Sequence, residues 1–402
     1  MNIYEHFRVN TIINVSGTKT RYGGSLMEEE AIQAMSEAAN YSVKLIELQA
    51  AACRLISEKT HAEAGIVTCG AYASMTLSAA ACICGFDVHR MNSLPDTSRF
   101  PNEFIMAIHQ LSGYDHSITA AGGKIIPVGI QPDTPHPNQV SEITARDFEA
   151  EINENTAGIV YAVRNESRPP LSEIVHLAKR YQIPVIVDAA AQVPPVENLY
   201  KFIETGADLV CFSGGKGIRG PQNSGILCGK KELIYSAVMQ MLDMAIGPFD
   251  KWQLPEEFSL LKEKLKGRPA HGISRGAKVT KEAIIGLLIA LEKLDTHKFQ
   301  EKANYLRTLL NQVAKKINGI NGVATQLTEE YEKAYPMLMI TIDPSKFGKT
   351  AADIVSELKE NKIYTRDNHV DCGIFYIHSL NLDEKTTHIV GEKLYDILKK
   401  GA

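Results

Sequence analysis

The sequence predicts an α/β fold with a mainly parallel sheet in a large domain and a small α/β domain following it. Two observations predict it. Between residue 64 and residue 230, short apolar runs alternate with helix-patterned stretches, the mark of strand–helix–strand crossovers. The last hundred residues repeat a strand, helix, strand pattern of their own. A length of 402 residues accommodates a separate core for each.

The elements follow in order. "AGIVTCG" reads as a strand leading into an alanine-rich helix from about Tyr72 to Cys84. "AGIVYAV", residues 157 to 163, is a second strand. After Pro169-Pro170, the residues Leu171, Ile174, Val175 and Ala178 recur on one helical face, with proline at the first turn. "IPVIVDAA" and "ADLVCFSG" are two more strands, joined by a helical crossover through "VENLYKFIETG". A long amphipathic helix begins near Lys281 with "EAIIGLLIALEKL". Beyond it, "PMLMITID", "AADIVSELKENKI" and "CGIFYIHSL" read as strand, helix, strand, and a last helix covers "DEKTTHIVGEKLYDILKK". The expected division is an N-terminal segment (1–45), a large domain (46–290) and a small C-terminal domain (291–402) that part of the N-terminal segment joins.

Composition narrows the class. With 44% hydrophobic and 22% charged residues the chain reads as soluble and globular. A net charge of −4 argues against a broad attraction to nucleic acid. "MNIYEHFRVNTIINVSG" lacks the basic and apolar regions of a signal peptide, and "ASMTLSAAACICGF" is too short to cross a bilayer. Seven scattered cysteines suit reduced thiols in a cytoplasm. Cys82 and Cys84 have no second pair at zinc spacing, so they read as small buried residues and no metal is expected.

"FSGGKGIRGPQNSG", residues 212 to 225, contains the G-x-G-x-x-G spacing at Gly215, Gly217 and Gly220. A dinucleotide site needs those glycines to follow a strand and open a helix. Here Pro221 and "QNSG" lead instead into the apolar run "GILCG", which reads as a strand. Nor does the spacing match a phosphate loop of the Walker type. Lys216 within the loop suggests another chemistry. Pyridoxal 5′-phosphate (PLP) requires an amine for covalent attachment, a carboxylate facing the pyridine nitrogen and an anion site for its phosphate. Asp188 closes "IPVIVD", and Lys216 follows the next strand. If those strands are parallel neighbours, both residues emerge at the carboxyl edge of the sheet. "TCGAYAS" joins a strand to a helix, so the backbone N–H groups of Ala71 and Tyr72 could receive a dianion. The hydroxyl of Ser213 could add a bond.

"IPVIVDAAAQVPP" followed by "GADLVCFSGGKGIRGPQNSGIL" resembles the selenocysteine synthase-like branch of the fold-type-I PLP-dependent enzymes, and within it the D-glucosaminate-6-phosphate ammonia-lyases. "INVSGTKTRYGGSLMEEEAIQAM" and "SRGAKVTKEAIIGLLIAL" extend the resemblance over most of the chain. It implies a large PLP-binding domain with a seven-stranded sheet, a small C-terminal domain, and active sites built in a homodimer or higher homo-oligomer. By position it makes Lys216 the cofactor-bearing lysine and Asp188 the partner of the ring nitrogen. Gly70, Ala71 and Tyr72 become the phosphate turn. His116, in "GYDHSITAAGGK", becomes a ring-stacking or proton-transfer residue, with Tyr114 as the competing choice. Arg275 and Lys278 are candidates for a cofactor or substrate phosphate, Arg366 for the substrate carboxylate, and Tyr22 with Arg21 for the pocket lining.

The activity this implies is α,β-elimination with ammonia release, giving a 2-keto acid from an amino sugar acid or another β-substituted amino acid. The true selenocysteine synthases act on tRNA and carry an added N-terminal domain. Here the family-like core begins at "TIINVSG" and the charge balance is acidic, which points to a small-molecule substrate with neither a nucleic-acid nor a membrane partner. A tRNA-dependent transferase, another PLP reaction (racemase, aminotransferase or aldolase) and a non-catalytic PLP-fold protein are the rival readings.

Overall fold

The structure, a computed structural model, describes residues 2–129, 143–329 and 334–401. These fold as two compact units, one of Met27–Val193 with Glu197–Lys293, the other of Met1–Leu26, Pro194–Val196 and Leu294–Ala402. In chain order the strands are β1 (Ile13–Val15), β2 (Ala64–Thr68), β3 (Glu103–Ala107), β4 (Lys124–Val128), β5 (Thr156–Ala162) and β6 (Val185–Asp188). There follow β7 (Leu209–Ser213), β8 (Gly225–Gly229), β9 (Val323–Glu329), β10 (Pro336–Ile342), β11 (Ile363–His369) and β12 (Ile374–His378).

The larger unit is built on a seven-stranded sheet in the order β2-β8-β7-β6-β5-β3-β4. Strands β4, β3, β5, β6 and β7 run parallel to one another. β8 is antiparallel to both β7 and β2, which places it between strands distant in sequence. Every residue of β5 is buried, and β7 is buried up to Ser213. Such strands read as continuous apolar runs because helical crossovers leave no face of a parallel sheet to water. β3 and β4 gave no clear signal in the sequence. β4 is an edge strand, half exposed and carrying Pro127, so its composition resembles a loop.

The helix Gly70–Cys84 is buried nearly all round, with Ala73, Ser74, Leu77, Ser78, Ala79, Ala80 and Ala81 among its covered residues. Small side chains let it lie close to the sheet on one side and to the helix Lys231–Met241 on the other. The helix Leu171–Tyr181 buries Ile174, Val175, Leu177 and Ala178, the face its spacing predicted. Pro170 is its N-cap residue, one position before the first turn. The crossover from β6 to β7 contains the helix Asn198–Thr205, closed by Gly206 at φ 105°. Such a backbone favours glycine.

The other unit contains a five-stranded sheet, β1-β11-β12-β10-β9. β1 pairs parallel with β11, so the N-terminal segment does join this sheet, and the remaining pairs are antiparallel. The helix predicted from Lys281 ends at Lys293. A separate helix, Thr296–Ile317, starts at once because the Asp295 side chain caps it by accepting from Lys298 N. Phe299, Ala303, Leu306, Leu310, Val313 and Ile317 form its buried stripe, and it packs on the helix Glu384–Gly401.

Candidate active site

β6 and β7 are parallel neighbours with Asp188 opposite Cys211. The chain leaves β7 at Ser213 and turns through Gly214 and Gly215 to Lys216, at the carboxyl edge where Asp188 also ends its strand. The glycines here serve close packing. A Cβ on Gly214 would sit 2.2 Å from Ser224 Oγ, and one on Gly215 would sit 2.3 Å from Gln222 Cα. Gly214 N donates to Ser224 O (2.8 Å), Gly220 N donates to Gly214 O (2.8 Å), and Arg219 N donates to Lys216 O (3.2 Å). Arg219 adopts φ 62° and pairs with Glu28 at 3.1 Å. The loop is thus folded flat on the Pro221–Ser224 turn, and β8 follows it where a dinucleotide fold would have a helix. The G-x-G-x-x-G spacing is a packing motif that holds Lys216.

Lys216 and Asp188 are each partly buried. Burial pushes the Asp188 carboxyl above its ordinary range. The Ala190 N–H, 3.0 Å from Oδ1, and the positive charges of Lys216 and Arg164 pull it back, while Asp115 opposes them. These four charges therefore share one neighbourhood. Arg164 and Asp115 were not singled out in the sequence. Arg164 lies two residues past β5 and donates to the carbonyls of His109 (2.9 Å) and Gln110 (2.9 Å), tying the ends of β3 and β5 together. The only sequence signal for it is its place just beyond a strand. Asp115 accepts from Ser112 N with both oxygens (3.0 and 2.9 Å).

That contact fixes the loop bearing Tyr114 and His116. Both side chains are exposed, and His116 opens the helix His116–Ala120. The loop reaches the Asp188 region, since Asp115 acts on that carboxyl. Another histidine, His109, lies nearer the sheet edge and was overlooked. It is half-buried and its Nε2 accepts from Arg168 N at 3.2 Å. Burial lowers its pKa, Glu166 raises it, and Arg164 and Arg168 lower it further, so the imidazole is neutral at physiological pH.

The turn from β2 into the helix Gly70–Cys84 forms a cradle. Gly70 has φ +84°, and a Cβ there would meet nothing within 4 Å, so the turn is open in front. Behind it, a Cβ on Gly225 would lie 2.5 Å from Gly70 C and 2.8 Å from Ala71 N. The 70–71 peptide therefore rests directly on the start of β8, opposite Ser213 in the register of β7 and β8. Ala71 is half-buried and Tyr72 exposed at the helix start, with their N–H groups in the first turn, where no carbonyl of the helix can receive them.

Arg275 pairs with Asp243 at 2.6 Å, and its Nε is buried without a partner among the described residues; Lys278 is exposed. Arg366 and Tyr22 belong to the unit containing β11. Arg366 lies opposite Tyr376 with Nη1 3.6 Å from Met337 S. Tyr22 packs on Tyr364 with ring centroids 4.6 Å apart, and the Arg21 guanidinium lies over the Tyr22 ring at 4.9 Å. Cys84 is buried and its thiol is pushed up to about 12; burial raises Cys82 too. No cluster of three or more His, Cys, Asp or Glu side chains suited to a metal occurs among the described residues, and none of their helices is long and apolar enough to span a membrane.

The donor set fits PLP. A lysine and a carboxylate share one sheet edge, and an open helix N-terminus is backed by a glycine whose Cβ would collide with the 70–71 peptide. Comparison with known proteins agrees. The family model for class-V aminotransferases matches residues 129–385. The chain is 27% identical over its whole length to a D-glucosaminate-6-phosphate ammonia lyase of Salmonella typhimurium, covering 99% of that protein. It is 26% identical to a 5′-C-glycyluridine monooxygenase-decarboxylase of a Streptomyces species, across 98% of this chain and 92% of the other. A solved structure of D-glucosaminate-6-phosphate ammonia-lyase superimposes with a TM-score of 0.78 at 26% identity, covering 100% of this chain and 99% of that one.

Proposed function

The chain belongs to the class-V aminotransferase family, and on that premise we propose that it is a PLP-dependent lyase releasing ammonia from an amino sugar acid. The observation that carries the proposal is the electrostatic coupling of Asp188 and Lys216 at the ends of adjacent parallel strands. The ammonia lyase relatives support the reaction type. Lys216 would hold the cofactor covalently, Asp188 would face its ring nitrogen, and Ala71 and Tyr72 would receive its phosphate. Bound there, PLP supplies a cationic ring that accepts the electrons freed at the substrate α-carbon.

The residues of the chain then manage protons and charge. Asp188 would keep the ring nitrogen protonated. Lys216, freed as a neutral amine when the substrate amine takes its place, would remove the α-proton. The β-hydroxyl departs as water with a proton from Lys216 or His116. The net change converts a 2-amino-3-hydroxy acid into a 2-keto-3-deoxy acid and ammonium: one water is lost in the elimination and one is taken up in releasing nitrogen.

The test is direct. PLP-loaded protein should release equal amounts of keto acid and ammonia from a 2-amino-2-deoxy sugar acid or its phosphate, and borohydride should fix the cofactor on Lys216. A protein that takes up no PLP ends the proposal.

A further inference from the structure

The turn at Gly70 contains a buried hydroxyl pair that no role has yet absorbed. Thr68 and Ser74 are both fully buried. Thr68 Oγ1 donates to the Gly70 carbonyl at 3.0 Å and lies 2.7 Å from Ser74 Oγ, which is itself 3.4 Å from the same carbonyl. The single Thr68 proton goes to the carbonyl, so Ser74 supplies the proton between the two hydroxyls.

The consequence lies in peptide geometry. In a trans peptide the C=O of one residue and the N–H of the next point in opposite directions. Gly70 O is held inward by the Thr68 hydroxyl, which Ser74 fixes by donating to it, so Ala71 N–H must point outward, to the open side of the turn. Gly225 bars the 70–71 peptide from retreating, since its own Cα lies against Gly70 C and Ala71 N with no room for a Cβ. Gly70 tolerates the φ of +84° that this flipped peptide requires. Gly70 is the first residue of the helix, and the Thr68 hydroxyl fixes its carbonyl in addition to the helical ladder.

We propose that Thr68 and Ser74 are positioning residues that aim the Ala71 N–H at the phosphate of the cofactor. The inference rests on the PLP reading of the site. It places the specificity of the pair on the phosphate alone: among the described residues, Ser74 Oγ otherwise reaches only Ile226 O, at 3.4 Å.

The experiment measures equilibrium affinity of the stripped full-length protein for PLP and for pyridoxal, which lacks the phosphate. Thr68→Val and Ser74→Ala should each weaken PLP binding at least tenfold and pyridoxal binding by less than twofold. Thr68→Ser should restore the PLP value, and the phosphorus NMR signal of bound PLP should move in Thr68→Val but not in Thr68→Ser. Thr60→Val removes a comparable buried hydroxyl bond, to Ile56 O at 2.7 Å, away from the turn; it should lower stability and leave PLP affinity unchanged. If Thr68→Val fails to fold, Ser74→Ala carries the comparison. Equal weakening of PLP and pyridoxal, or no weakening of either, overturns the inference. A wild-type protein that binds neither compound overturns the PLP reading itself.

Discussion

Asp188 and Lys216 leave the same edge of one sheet from adjacent parallel strands: Asp188 stands opposite Cys211, and Lys216 follows Cys211 by five residues. The lysine charge draws down the pKa of a carboxyl that burial raises. That opposition of terms makes Asp188 costly without a cationic partner and useful with one.

Asp188→Asn should therefore separate stability from activity. A carboxyl whose folded pKa is raised contributes its stability below the unfolded value, near 3.8, and loses it as pH rises through the folded value. In cofactor-free protein at neutral pH the wild-type side chain is a burden. The variant should melt at the same or a higher temperature than wild type above about pH 5, with the advantage growing as pH rises. Its kcat/KM should fall about 10²-fold or more. Thermal scans across pH, paired with keto-acid assays, check both; a variant less stable at neutral pH than at pH 4, relative to wild type, contradicts the expectation.

Gly225→Ala should damage cofactor binding from behind the turn. The new Cβ would meet backbone atoms of Gly70 and Ala71 at 2.5 to 2.9 Å, and those cannot swing away as a side chain can. Overpacking of this kind costs about 1–3 kcal/mol, or roughly 5- to 150-fold in PLP affinity. Gly247→Ala, where a Cβ meets nothing within 4 Å, is the control and should leave affinity at the wild-type value.

The two histidines can be told apart. If His116 supplies the proton to the departing hydroxyl, His116→Ala lowers kcat by about 10²-fold. His109→Ala should lower kcat by a smaller factor, because its ring already accepts from Arg168 N and burial lowers its pKa. Steady-state pH profiles of both variants decide; a larger loss at His109 transfers the role.

Asp367 reports on the other unit. Burial raises its carboxyl, but Lys19 at 2.8 Å and Lys359 at 3.0 Å outweigh that and hold it at about 2. A depressed acid stabilises above its unfolded pKa and loses that contribution as pH falls through the folded value. Asp367→Asn should be less stable than wild type at pH 7, and the difference should vanish between about pH 4 and pH 2. Denaturant titrations at pH 7, 4 and 2.5 check it.

Much of the fold was legible because parallel strands and amphipathic helices write their burial into local runs. "AGIVYAV", "VIVD" and "LVCFS" are buried on both faces, and the 171–178 spacing marks one helical stripe. β4 was not legible, since an edge strand with one wet side carries a weaker pattern; β3, interior and buried, was passed over although its run EFIMA is apolar after Glu103. Of the site, the aspartate and the lysine could be named from order alone, as Asp188 ends one apolar strand and Lys216 follows the end of the next by three residues.

What the sequence determined by itself is the set of strands and turns, with the chemical types at their ends: an amine, a carboxylate and a glycine turn. What only the tertiary structure decided is which of these meet. The parallel register of β6 and β7 joins Asp188 to Lys216, the antiparallel insertion of β8 sets Gly225 behind Gly70, and Arg164 and Asp115 enter from strands and loops far away in the chain. Local sequence encodes the backbone preference and burial of each segment. Proximity between distant segments comes from sheet order, which no single segment contains.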